Sequence, residues 1–223
     1  RLMTTLGDAQ TAKLCSDAAT RGRQVVPDAN QSKSGAALLA LAGMVDPKQT
    51  ADVVLKAGGS KGISTFYGFY VLQALAKSGD VDTALEFIRT YWGAMLDLGA
   101  TTFWEDFNLE WTNNAARIDE LVPPGKKDIH GDFGAYCYVG FRHSLCHGWA
   151  SGPTAWLSQH VLGVQPVEPG CKRVRVTPQL GNLKWAEGTY PTPHGQIRVR
   201  HERQTDGSIT SDIQAPPGVA VER

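Results

Sequence analysis

The feature that most constrains this chain is a single change of hydrophobic period along its length. Between residues 81 and 95, Val81, Ala84, Leu85, Ile88, Trp92 and Met95 recur at steps of three and four. That is the stripe of an amphipathic helix. Beyond Pro166 the period falls to two: residues 172–177, 183–187, 196–200 and 208–213 alternate polar with apolar. Such alternation belongs to strands that bury one face. The pattern predicts a multi-domain α and β chain, helices first and a β-region last.

The helical part divides further. Residues 6–19 read as one helix and 34–44 as a second. Pro47 opens a third, running to about residue 57, at a position where its missing N–H costs nothing. Gly58 and Gly59 close it. Ser64 can cap a fourth helix carrying Phe66, Phe69, Tyr70, Leu72 and Leu75, which Gly79 breaks; Asp80 can cap the fifth. Helices joined by short loops imply antiparallel hairpins, as in a bundle, a solenoid or an α/α barrel. No fixed-length repeat is present, which counts against a solenoid. Residues 148–162 return to helix, ended by Gly163.

In the β-region, Asp206-Gly207 marks a hairpin. Residues 218–223 supply a short fifth strand. An antiparallel β-sandwich is expected, with one domain over residues 1–165 and another over 166–223.

Composition narrows the functions. Lys+Arg and Asp+Glu are 22 each, so no basic excess exists to hold a nucleic acid. No apolar run approaches the roughly 20 residues that span a bilayer, so a membrane partner is not expected. Cys15, Cys137, Cys146 and Cys171 lack metal-ligand spacing. Free, mostly buried thiols are expected, a Cys137–Cys146 disulfide being the alternative. His130, Asp132 and His143 fit no metal pattern, and neither a metal nor a cofactor is expected. Residues 58–62 (GGSKG) lack the spacing of a phosphate loop and read as a turn. The chain opens inside a helical pattern without a Met and closes on a short strand, so a piece of a longer polypeptide is expected. The compartment is not read from it, although an extracellular or periplasmic place is compatible.

Between the two regular parts, residues 98–147 lose their period and become rich in aromatics and turns. Loops this long are often functional. In GATTFWEDF (99–107), Glu105 and Asp106 stand among Phe103, Trp104 and Phe107. Aromatic neighbours desolvate a carboxyl and can stack on sugar rings, as a glycoside-cleaving site requires. The pattern alone leaves open that Glu105 is a surface acid beside an apolar loop. In SLCHGWASGP (144–153), His147 precedes a helix start, where neutral imidazole could donate to a ligand hydroxyl. On pattern alone, a satisfied structural histidine is the more ordinary reading. Cys146 and His147, being adjacent, do not form a nucleophile pair.

Read together, these two segments resemble the family 78 glycoside hydrolases, the bacterial α-L-rhamnosidases. The resemblance continues through YWGAM (91–95), VLG (161–163), VRVTP (174–178), WAEG (185–188) and PTPHG (191–195). It implies the second half of an (α/α)6 catalytic barrel followed by a C-terminal β-sandwich. It further implies hydrolysis of terminal α-L-rhamnose from a glycoside or polysaccharide, with inversion. In that scheme Glu105 is the general base, Trp104 and Trp92 wall the sugar subsite, His147 holds sugar hydroxyls, and Asp106 is a second-choice site residue. The general acid would lie outside these 223 residues. The isolated chain is then expected to be inactive and, with an uncovered apolar face, prone to self-association. The alternatives are another α/α-barrel glycosidase or lyase, or a non-catalytic carbohydrate-binding module.

Overall fold

A computed structural model of the chain describes residues 2–133 and 144–223. The helices come first: α1 (Leu2–Thr5), α2 (Ala9–Gly22), α3 (Lys33–Leu41), α4 (Pro47–Thr50), α5 (Gly68–Ser78), α6 (Val81–Phe87) and α7 (Gly93–Asp97). A wide π-turn over Ala51–Leu55 prolongs α4, and another over Ile88–Trp92 joins α6 to α7. Then follow α8 (Ile129–Asp132) and α9 (Gly152–Trp156), the latter extended by a π-turn over Leu157–Val161.

Of the two caps read from the sequence, Asp80 caps α6, whereas Ser64 caps the turn before α5, whose own N-cap, Tyr67, makes no side-chain bond; Asp46 caps α4 in addition. The Asp46 and Asp80 carboxylates accept the N–H groups of Gln49 at 2.7 Å and Thr83 at 3.1 Å. The Ser64 hydroxyl accepts the N–H of Tyr67 at 3.2 Å. Gly79 ends α5 in the left-handed conformation. The turn at residues 58–62 closes on a lysine. The Lys33 ammonium, largely buried, donates to the carbonyls of Leu55, Ala57 and Gly59, and burial depresses its pKa. Those carbonyls follow a helix end and need donors.

The core runs through α5. Val71, Leu72, Ala74 and Leu75 are fully buried, in one cluster with Ala37 and Ala40 of α3, Leu85 of α6, and Trp156 of α9. Burying each large apolar side chain there contributes about 1.5–3 kcal/mol.

Six strands follow: β1 (Val164–Pro166), β2 (Arg173–Val176), β3 (Trp185–Thr192), β4 (Gly195–Arg203), β5 (Ile209–Gln214) and β6 (Ala220–Glu222). They form two three-stranded sheets, ordered β1-β2-β6 and β3-β4-β5. Three features depart from the sequence reading. β1 is too short to show alternation. β3 runs on through Pro191, which an edge strand tolerates because a ladder N–H is dispensable there. The β2–β6 pair is parallel, the rest antiparallel. Parallel neighbours need a long crossover, and here β3 to β5 supply it.

Gly163 joins helix to strand. Its φ is +70°, and a Cβ there would lie 2.3 Å from the backbone carbon of Thr177. Only glycine lets the chain turn this tightly while Thr177 donates its N–H to the Gly163 carbonyl at 3.0 Å. Nearby, His201 of β4 is buried. Its Nε2 lies 3.0 Å from the Leu162 carbonyl and its Nδ1 2.8 Å from the Ser211 hydroxyl. The carbonyl needs a donor, so Nε2 carries a proton, and burial holds the pKa of the ring below its ordinary value. The second sheet is thus hydrogen-bonded to the end of the last helix.

The thiols correct one expectation. Cys15 and Cys146 are exposed, Cys171 is half-buried, and all three are free. Cys15 is on α2, which buries none of its residues. Cys137 lies outside the described residues, and with it the alternative disulfide. His143 lies there too. Asp128 caps α8 through the N–H of His130 at 2.9 Å, and Asp132 accepts the N–H of Asp128 at 2.8 Å. Among the described residues, no helix is long and apolar enough to cross a membrane. None of their His, Cys, Asp and Glu side chains cluster in a way that could hold a metal ion.

Candidate active site

The two segments singled out in the sequence lie side by side. The Glu105 N–H donates to the Ser144 carbonyl at 2.9 Å, and the His147 N–H donates to the Phe103 carbonyl at 2.8 Å. The Thr102 hydroxyl adds a bond to the Leu145 carbonyl. Behind them, Tyr91 of the π-turn donates to the Phe107 carbonyl, and its ring meets that of Phe107 edge-on at 5.4 Å. The aromatic stripe of the helix therefore anchors the loop that follows it.

Glu105 is the centre of this arrangement and is only 5% exposed. One carboxylate oxygen, Oε2, accepts the Ser144 N–H at 2.9 Å and lies 3.8 Å from Nδ1 of His147. A backbone N–H aimed at a carboxyl oxygen favours the ionised form of that group. The Glu105 carbonyl accepts from the Thr65 hydroxyl and from the Trp149 indole N–H, the latter at 2.8 Å. Backbone and carboxylate are thus both fixed. A buried carboxylate, held by a backbone donor beside an imidazole, can take a proton from a positioned water.

The other candidates are placed differently. His147 borders Glu105, a third exposed. Asp106 is half-buried and its Oδ1 accepts the N–H of Phe107 at 2.9 Å. Trp104 is fully buried, edge-on to Phe107 at 5.8 Å, and its indole N–H finds no acceptor among the described residues. Trp92 is buried too. It donates to the Ala150 carbonyl at 3.1 Å and packs over Gly68, where a Cβ would stand 2.7 Å from the ring. Trp92 also lines an apolar cleft of about 540 Å³ with Met95, Leu96, Phe103, Pro153 and Leu157. Glu105 does not line that cleft.

An aromatic shelf beside His147 escaped the sequence reading. The Trp149 ring lies 4.3 Å from His147 and 5.7 Å from Phe66, which meets Tyr67 edge-on at 5.0 Å. Phe66, Tyr67 and Trp149 are 38%, 44% and 46% exposed, unusual for three touching aromatics. Phe66 and Tyr67 sit 38 or more positions before Glu105 in sequence. The available signal was the run of aromatics at 66–70, of which the sequence reading placed Phe66, Phe69 and Tyr70 on a helix.

Known proteins match this chain in the same places. Residues 163–222 match the model of the bacterial α-L-rhamnosidase C-terminal domain. An α-L-rhamnosidase of Alteromonas sp. (strain LOR) is 31% identical over 180 residues, covering 78% of this chain and 16% of that protein. One of Streptomyces avermitilis is 25% identical over 224 residues, covering 97% and 18%. The chain therefore spans about a sixth of the length of these relatives. The crystal structure of a GH78 family rhamnosidase of Bacillus sp. GL1 superposes with a TM-score of 0.61 at 27% identity, over 85% of this chain and 18% of that one. The S. avermitilis α-L-rhamnosidase, complexed with L-rhamnose, superposes with a TM-score of 0.73 over 99% of this chain and 21% of its own; at 20% identity that likeness speaks to the fold. By sequence and by shape, the chain is similar to the C-terminal part of the family 78 α-L-rhamnosidases.

Proposed function

We propose that this chain supplies the general base of an α-L-rhamnosidase, in a polypeptide that hydrolyses terminal α-L-rhamnose from glycosides or polysaccharides. The observation carrying this reading is the fixed Glu105 carboxylate, with the Ser144 N–H and His147 converging on one of its oxygens. The similarity to α-L-rhamnosidases supports the substrate class.

In this reading Glu105 draws a proton from water as that water attacks the anomeric carbon. A second carboxyl, the general acid, protonates the leaving oxygen from the opposite face. Single-step inversion needs the two carboxyls roughly 6.5–9.5 Å apart, so that the water fits between. His147 holds sugar hydroxyls, with Asp106 as a second polar contact. Trp104 and Trp92 form the apolar backing of the subsite. Residues 1–165 are read as half of an (α/α)6 barrel and 166–223 as a β-sandwich domain, a reading that the TM-score of 0.73 to a rhamnosidase supports.

The test uses the longer polypeptide carrying this sequence. Glu105→Gln removes the base with little change in shape. Turnover of p-nitrophenyl α-L-rhamnoside should fall at least about 10²-fold, as loss of acid–base catalysis does, with the melting temperature unchanged. Proton NMR of early product should show β-L-rhamnose. Near-normal turnover would remove Glu105 as the base, and early α-anomer would remove inversion.

A further inference from the structure

The strongest feature outside this site is the outward face of the second sheet. Register places Trp185, Glu187 and Thr189 of β3 opposite Glu202, Arg200 and Arg198 of β4, and the last two oppose Asp212 and Gln214 of β5. The alternate residues Ala186, Ile197, Val199 and His201 are buried. This follows from the period of two: one face packs inward and the other carries the polar set.

That polar set has two features beyond what solubility requires. Trp185 is 56% exposed, and the Arg200 guanidinium lies over its ring at 5.5 Å while donating to Glu187 at 2.5 Å. The arginine is thereby braced and holds the indole in place. Beside it is a cleft of about 280 Å³ lined by Glu187, Thr189, Arg198, Arg200, Asp212 and Gln214. That volume is close to the lower end of small-molecule sites, roughly 300 Å³. Arg198, in the middle of this cleft, makes no ion pair among the described residues.

We propose that this face is a second, non-catalytic binding site for a neutral saccharide chain. Its charges are nearly balanced, Arg198 and Arg200 against Glu187, Glu202 and Asp212, so it offers no field for a phosphate or a polyanion. Planar guanidinium, carboxylate and amide groups present paired donors and acceptors that match vicinal hydroxyls. The indole offers a flat apolar surface for the C–H face of a pyranose. Trp185 and Thr189, four residues apart on one strand, are roughly 13 Å from each other, a length that suits two or three linked sugars. The site is separate from Glu105 and does not depend on the role given to that residue.

Affinity electrophoresis of the full chain tests this, with gels containing arabinogalactan, β-1,4-galactan, xyloglucan or, as the acidic arm, polygalacturonate. At least one neutral polysaccharide should retard the chain. Trp185→Ala and Arg198→Ala should each raise the Kd at least tenfold, while Glu105→Gln leaves it unchanged. If Trp185→Ala does not fold, Arg198→Ala and Gln214→Ala carry the test, since both side chains are on the exposed face. Absence of retardation in all neutral gels, retardation by polygalacturonate alone, or retardation unaltered by these substitutions would overturn the proposal.

Discussion

Helices α2 and α5 show how little a periodic pattern says about its own cover. α2 has 14 residues and buries none of them, leaving Leu14 at 63% exposure. α5 has 11 residues and buries Gly68, Val71, Leu72, Ala74, Leu75 and Ala76. Both were legible as helices, and α5 ends at Gly79 as expected. What differs is their neighbours. α3, α6 and α9 surround α5. Within the described residues α2 has nothing comparable, so helix formation and core formation are separate events, and most helical stability comes from the second.

Substitutions sharpen that contrast. The largest effect is expected at the junction that closes the core. Gly163→Ala should destabilise by several kcal/mol, combining strain of about 1–3 kcal/mol at positive φ with a backbone clash at Thr177. Chemical denaturation measures it, and a loss under about 1 kcal/mol would show that the turn relaxes easily. Next comes Leu72→Ala in α5, wholly buried, for which about 2–5 kcal/mol is expected. The matching substitution in α2, Leu14→Ala, should change stability by no more than about 0.5 kcal/mol. Equal losses at Leu72 and Leu14 would break the comparison, by revealing that α2 is covered in solution.

Between these sits Lys33→Met. It takes the donor away from three carbonyls at the end of the α4 extension. A cost of about 1–3 kcal/mol follows from leaving buried acceptors unpaired. No change on denaturation would show that water replaces the ammonium.

The smallest expected effect is one of pH. Burial depresses the pKa of both His201 and His160 below the ordinary 6.5. As pH falls below about 6.5, the unfolded chain takes up protons that the folded chain refuses. Their contribution is therefore complete above that pH and is lost on acidification. Melting temperature should fall between pH 7.5 and 5, and the slope should flatten in a His160→Gln/His201→Gln double variant. An unchanged slope would place the acid sensitivity elsewhere.

Much of the site was legible because its parts are local. GATTFWEDF marked a carboxylate among aromatics, and SLCHGWASGP marked a histidine before a helix start. Neither pattern showed that they touch, since Glu105 and Ser144 are 39 residues apart and meet only through two loops. Nor could pattern separate the aromatics by role. Trp104, adjacent to Glu105, is buried, whereas Phe66, read as part of the fourth helix, and its neighbour Tyr67 stand half in solvent. A stripe fixes which residues share a face, not whether that face is covered. Likewise alternation revealed four strands but missed β1, three residues long, and could not foresee that β6 returns parallel to β2.

By itself, the sequence determined the order of helices and strands, their caps and breaks, and the chemistry gathered at residues 99–107 and 144–153. Those properties rest on local backbone preference and on periods of 3.6 and 2. Tertiary structure alone decided that Ser144 and His147 face the Glu105 carboxylate, that Trp104 is fully buried, and that Trp185 lies open on an outer sheet face. The physical reason is that burial and contact depend on which distant element comes to rest on a face, and no window of neighbouring residues contains that element.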